Sequence, residues 1–211
     1  MTHTRIKFCG LTRAEDVRLA VELGVDYVGL VFAPHSKRRL SLDQAHALRT
    51  LVPEEIAVVA LVMDNDAHYI RSIVEQVQPD FLQFHGSEDD AFCAAFGVPF
   101  FKAIAMGSED EDALARTAEF PTAYGYLLDG HGKGEQGGSG QRFDWMRAPR
   151  LDKPVLLAGG LSSENVATAI RSARPWGVDV SSGIESAPGI KNPDRMRMFV
   201  EEARRADAQS D

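Results

Sequence analysis

A chain of 211 residues, 44% hydrophobic and 26% charged, can bury one sizeable core, has little room for a second domain, and is unlike disordered or fibrous compositions. A net charge of −8 excludes broad binding to a nucleic-acid backbone, which needs a basic stripe to displace counterions. The opening residues MTHTRIKFCG hold no apolar signal core, and no later run approaches the roughly 20 uncharged apolar residues that cross a bilayer, so the expectation is a cytoplasmic protein with no membrane partner.

Runs rich in β-branched and aromatic residues alternate with helical patterns along the whole chain, the signature of βαβ units. The first run, RIKFC from Arg5, leads into Thr12 and Glu15, a T-x-x-E capping box, and Gly24 suits a left-handed helix stop. DYVGLVF from Asp26 is followed by HSKRRL and an S-x-x-Q box at Ser41 and Gln44. IAVVALV from Ile56 precedes Ile70, Ile73, Val74 and Val77, spaced to face a sheet from one side of a helix. DFLQF from Asp80 precedes a helix in which Cys93 lies between Phe92 and Phe96, a packing position, before a stop at Gly97. PFFKAI from Pro99 and AYGYLL from Ala123 are the fifth and sixth runs.

Six glycines then fall between Gly130 and Gly140, with only a short helical hint at FDWMRA; beside Asp129 this stretch reads as a lid over a bound substrate more than as a plain connection. PVLLA from Pro154 runs into AGGLSSENV, with Ser162 as the expected N-cap of a helix carrying Val166, Ala169, Ile170 and Ala173. WGVDV from Trp176 leads through DVSSGIE to a last helix starting at Pro193 and burying Met196, Phe199, Val200 and Ala203; residues 206–211 are expected to fray. Near-continuous apolar runs fit parallel strands covered on both faces. Eight of them, in a chain near the roughly 200-residue lower end for such folds, favour an α/β single-domain (β/α)8 TIM barrel over residues 1–211, with an open doubly wound sheet as the alternative.

In such a barrel the polar residues that end the strands carry the chemistry. Gly159 and Gly160 after the seventh strand, and Ser181, Ser182 and Gly183 after the eighth, offer backbone N–H groups and hydroxyls to a phosphate; either loop alone would be an ordinary tight turn. Cys9 is either a small core residue or a base whose thiolate is favoured by the following helix N-terminus. Asp129 is either an Asp-Gly turn or a shielded carboxyl able to donate a proton. The Arg38 guanidinium suits bidentate capture of a carboxylate, and His85 and Asp179 are further mouth positions expected to contact substrate without a proton-transfer role. Two cysteines are too few for a disulfide framework or a zinc knuckle, and no metal site is expected.

In order, KFCGLT, HSKRR, QFHG, LLDG, GGSGQRFDW, AGGLSSENV and DVSSGIESAPGIK resemble the phosphoribosylanthranilate isomerase family from about Arg5 to about Ala203. The resemblance implies a (β/α)8 enzyme of tryptophan biosynthesis that performs an Amadori rearrangement without cofactor, as a monomer or homodimer acting on a small phosphorylated substrate. It implies Asp129 as general acid, Cys9 as general base, Arg38 on the anthranilate carboxylate, and the Gly159–Gly160 and Ser181–Gly183 loops on phosphate. The glycine-dense loop with His131 and Lys133, and Asn192 where an aspartate is common, depart from the family pattern. The alternatives are another barrel sugar-phosphate isomerase or epimerase, an aldolase using Lys102, and a non-catalytic phosphometabolite-binding protein.

Overall fold

The computed structural model describes residues 3–106, 113–130 and 151–209. Eight parallel strands close on themselves: β1 (Arg5–Cys9), β2 (Tyr27–Val31), β3 (Ala57–Val62), β4 (Phe81–Phe84), β5 (Phe100–Ala105), β6 (Gly125–Asp129), β7 (Val155–Leu157) and β8 (Gly177–Val180). The register of β1 against β8, Lys7 opposite Asp179 and Phe8 opposite Val180, shuts the ring. That closure rules out the open doubly wound sheet. Helices α1 (Ala14–Glu22), α2 (Leu42–Arg49), α3 (Ala67–Val77), α4 (Asp90–Ala94), α5 (Ala113–Ala118), α6 (Val166–Ala173) and α7 (Pro193–Ala208) lie outside it.

Alternation sorts each strand into two faces. Phe8, Val28, Ile104 and Leu128 point outward into the main core, where they meet the apolar stripes of α3 and α6; Phe101, Leu127 and Leu156 fill the barrel. Gly24 and Gly97 stop their helices at φ of 65° and 66°, a left-handed conformation open to glycine. Ser41 and Gln44 form the expected reciprocal cap of α2.

Three local expectations are corrected. Thr12 does not cap α1: its hydroxyl donates to the Gly189 carbonyl, and Arg13 occupies the N-cap position without a side-chain cap. Ser162 lies ahead of α6, whose N-cap is Asn165; Asn165 Oδ1 accepts from Ser162 N–H at 2.9 Å and Nδ2 donates to Gly160 O at 2.9 Å, bracing the loop. Helix α7 continues through Ala208, because Ala206 is buried and Asp207 accepts from both Thr4 N–H and Thr4 Oγ, so fraying does not begin at 206.

After β8 the chain makes a 3₁₀ turn at Ser182–Ile184 and then a small hairpin, β9 (Glu185–Ala187) and β10 (Ile190–Lys191), which sequence patterning reads as loop. The glycine-rich stretch expected to act as a lid, with His131 and Lys133, and the FDWMRA hint lie outside the described residues.

Candidate active site

The C-terminal ends of the strands open onto a cavity of roughly 350 Å³. Cys9, Arg38, His85 and Asp129 line it, as do Gly159, Gly160, Asp179, Ser181 and Ser182. Gly183 stands behind the wall. A Cβ there would lie 1.9 Å from the Leu161 carbonyl oxygen, so this glycine lets the loops after β7 and β8 touch.

Cys9 ends β1 with 5% exposure, yet faces the cavity. Its space comes from the neighbouring strand: a Cβ on Gly29 would meet the sulfur at 2.9 Å. The expected helix assistance to the thiolate is not what governs it, since α1 begins only at Ala14. Burial pushes the thiol above its ordinary pKa; the Lys7 ammonium opposes this, Asp179 reinforces it, and Lys191 opposes it again.

Lys7 shares the inward face of β1 with Cys9 and is fully buried. Its Nζ donates to Asp179 Oδ1 at 2.7 Å across the β1–β8 seam. Burial pulls the lysine down, but attraction to Asp179 and Cys9 outweighs it and holds the ammonium above its ordinary pKa. A buried cation therefore sits beside the thiol. Asp179, expected as a substrate contact, is committed to that cation.

Arg38 reaches the wall over Gly10, where φ is 70° and a Cβ would lie 2.4 Å from the Arg38 Cδ. Its fork is not simply open to a ligand, as the sequence suggests. Nε and Nη2 donate to the two carboxylate oxygens of Glu185 at 2.7 and 2.6 Å, which leaves the Nη1 side unused by that carboxylate. Burial raises Glu185, but hydrogen bonding from Arg38 and the charge of Lys191 outweigh it, so its carboxyl titrates below the ordinary glutamate value.

Lys191, 1% exposed, donates to Cys9 O at 2.7 Å, Ser181 O at 3.1 Å and Glu185 Oε1 at 2.8 Å. Burial lowers its pKa more than Glu185 raises it. One ammonium thus ties the strand that bears the thiol to the serine loop. Gly159 and Gly160, at φ of 80° and 65°, form the facing turn, a conformation L side chains rarely adopt.

Asp129 ends β6 with 5% exposure, and its Oδ2 lies 3.5 Å from His85 Nε2. His85 Nδ1 lies 3.3 Å from Gln83 Nε2. Cys93 is buried on α4, where burial pushes its thiol up to about 12, and packing is its role. Lys102 points away from the barrel interior, donating to Gly86 O at 2.6 Å and Glu88 Oε2 at 3.0 Å, so it is no Schiff-base candidate for this cavity. Among the described residues no group of three or more His, Cys, Asp or Glu side chains is arranged to hold a metal ion.

Sequence reasoning passed over Lys7, Gln83, Glu185 and Lys191. For Lys7 and Gln83 a signal exists: each is a polar residue on the inward alternation of an otherwise apolar strand, RIKFC and FLQF.

Residues 6–202 match the family described as N-(5'phosphoribosyl)anthranilate (PRA) isomerase. The N-(5'-phosphoribosyl)anthranilate isomerase of Xanthomonas campestris pv. campestris is 53% identical over 210 residues, covering 97% of this chain and 95% of that protein. The Xylella fastidiosa protein of the same name is 55% identical over 208 residues, covering 97% and 93%. The phosphoribosyl anthranilate isomerase structure from Thermotoga maritima superposes with a TM-score of 0.84 at 34% identity, covering 95% of this chain and 98% of that one. Another isomerase structure, in complex with reduced 1-(o-carboxyphenylamino)-1-deoxyribulose 5-phosphate, gives a TM-score of 0.81 at 32% identity, covering 95% and 98%. With its motifs in order, its barrel closed and isomerase relatives matched over nearly their whole length, the chain belongs to the N-(5'-phosphoribosyl)anthranilate isomerase family.

Proposed function

We propose that this cavity converts N-(5-phosphoribosyl)anthranilate to 1-(2-carboxyphenylamino)-1-deoxyribulose 5-phosphate with Asp129 as general acid and Cys9 as general base. One observation carries the assignment: a buried carboxyl from β6 and a buried thiol from β1 line the same cavity, beside two loops suited to phosphate.

An Amadori rearrangement needs one proton delivered and another removed. Asp129 gives its proton to the ribose ring oxygen; the bond from that oxygen to C1 breaks, and the nitrogen lone pair forms the C1 iminium. Cys9, as thiolate, removes the proton from C2, and the freed electron pair makes the C1–C2 double bond while nitrogen recovers its lone pair. The resulting enolamine then loses its hydroxyl proton and gains one at C1, giving the ketone. The iminium is the electron sink, so proton transfers suffice.

The surroundings bear on these roles. Burial, reinforced by Asp179, holds the Cys9 thiol above its ordinary pKa, and Lys7 and Lys191 are the opposite charges that partly offset this and that the thiolate meets when it forms. Arg38 would take the anthranilate carboxylate on the side of its fork that Glu185 leaves, and the backbone and hydroxyls of Gly159, Gly160, Ser181 and Ser182 would take the phosphate. His85 and Asp179 flank the acid and the base, each reaching substrate through the group it positions.

In this reading the enzyme works in the cytoplasm on a small phosphorylated metabolite; no helix among the described residues is long and apolar enough to cross a membrane. One Thermotoga maritima structure is of monomers generated from a dimeric isomerase, which supports function as monomer or homodimer.

The roles are tested with freshly made substrate carrying deuterium at sugar C2. Wild-type enzyme should release that deuterium during turnover and show a primary isotope effect. Cys9→Ala and Asp129→Asn should each lose turnover by about 10²- to 10⁴-fold. Wild-type turnover in either variant removes that residue from its role.

A further inference from the structure

Beyond acid and base, the cavity holds a chain of three polar groups. Gln83 points inward from β4 and His85 follows just past the strand's end; the Gln83 Nε2 lies 3.3 Å from the imidazole Nδ1, and the ring's Nε2 lies 3.5 Å from Asp129 Oδ2. An amide nitrogen bears hydrogens and has no acceptor lone pair, so the ring nitrogen facing it must be the unprotonated one. A neutral imidazole then carries its single hydrogen on Nε2, the atom that faces Asp129.

Gln83 has a second end. The side chain is fully buried, it lines the cavity, and its Oε1 is a buried acceptor without a partner among the described residues. Such an atom is costly unless a donor completes it, and a sugar with several hydroxyls is a ligand that can. This marks Gln83 as part of the site and not of the hydrophobic filling.

We propose that Gln83 and His85 are positioning residues for the general acid: the Gln83 amide locks His85 as its Nε2–H tautomer, and that N–H receives the Asp129 carboxylate as the proton leaves for the ring oxygen. The proposal rests on Asp129 being the acid. In the step itself the O–H bond of Asp129 breaks, the substrate oxygen gains the proton, and the hydrogen on His85 stays where it is. A neutral donor aimed at the place where charge develops costs no reorganisation at the moment of reaction. The separation of 3.5 Å is long for such a bond, and catalytic hydrogen bonds shorten in the loaded enzyme. Other charges around the cavity are held by their own partners, Lys7 by Asp179 and Arg38 by Glu185.

The test is nitrogen-detected NMR on ¹⁵N-histidine-labelled protein, with the His85 signals assigned by their loss in His85→Asn. Wild type should show the proton on Nε2, and Gln83→Met should no longer hold a single tautomer. In parallel, kcat should fall about 10²-fold or more in His85→Leu, the scale for losing one preorganised donor, and roughly tenfold in Gln83→Met, while His85→Gln, whose amide nitrogen reaches the position of Nε2, should recover most of the loss. A wild-type proton on Nδ1 overturns the proposal without needing any variant to fold. So does unchanged kcat in folded His85→Leu while Asp129→Asn stays inactive. Full turnover in Asp129→Asn would instead remove the acid assignment, and the relay with it, even with the tautomer as expected.

Discussion

The same eight strands end in two different chemistries. At their N-terminal ends Tyr27, Phe81, Phe101, Tyr124 and Trp176 pack ring against ring with centroids 5.0 to 6.5 Å apart, and the Arg5 guanidinium lies 5.9 Å from the Trp176 ring centre. At their C-terminal ends a thiol, carboxyls and buried cations surround a space. The first arrangement is complete in itself, each ring gaining contact area and edge-to-face attraction. The second spends desolvation energy on ion pairs that burial makes expensive, and what it gains is a preorganised field. Stability and reactivity are thus separated along the barrel axis.

That separation can be broken in four ways, beginning with the largest effect. Removing Cys9 or Asp129 should cost about 10²- to 10⁴-fold in kcat, yet shift the thermal midpoint by no more than about 4 °C, measured by calorimetry beside the assay. A collapse in midpoint matching the lost activity would mean that the reactive end also holds the fold. The converse variant is Phe101→Ala in the aromatic end. It should lose roughly 3 to 5 kcal/mol in urea unfolding while the folded enzyme keeps its kcat. Next, Arg38→Ala should raise KM by about tenfold to a hundredfold, the scale of lost charge-assisted hydrogen bonds, with a smaller change in kcat. Unchanged KM and kcat would take Arg38 out of the substrate's reach.

The smallest effect sets one carboxyl from each end side by side. Asp26 near the N-terminal rim and Glu185 at the cavity both titrate below their ordinary values of 3.8 and 4.5: burial raises each, but Ile6 N–H and Arg5 prevail at Asp26, and Arg38 and Lys191 at Glu185. The folded chain therefore binds fewer protons than the unfolded one across that range. The stability they contribute is complete above the unfolded values and is lost as pH falls through the lower folded ones. Urea titrations from pH 6 downward should show stability declining below about pH 4.5. Asp26→Asn should flatten part of that decline while leaving kcat alone, and a decline unaltered by the substitution would discount Asp26.

The eight strands were legible because parallel strands buried on both faces write nearly continuous apolar runs, and observed starts fall close to those runs, as with Tyr27 beside Asp26 and Phe100 beside Pro99. That Cys9, Asp129, Gly159, Gly160, Ser181 and Ser182 line the cavity was legible because strand ends are where such barrels keep polar groups. What failed was partnership. Thr12 has a local capping pattern, but its hydroxyl is taken by Gly189, far along the chain. Arg38 reads as an open fork because nothing near it in sequence announces Glu185, and the helix-assisted thiolate ignored how deeply Cys9 is buried. The hairpin bearing Lys191 is too short, at three and two residues, to leave an alternating pattern.

The hold of Lys191 on the Cys9 carbonyl has a consequence for how the enzyme is made. Lys7 waits for Asp179 and Arg38 for Glu185 in the same way. During synthesis Cys9, the proposed base, emerges well before Asp179, Glu185 and Lys191, the groups that surround it and its neighbours. A nascent chain halted before residue 191 would carry both Cys9 and Asp129 yet lack the cation that ties the thiol's strand to the serine loop, so catalytic competence should arrive abruptly, only after residue 191 has been added.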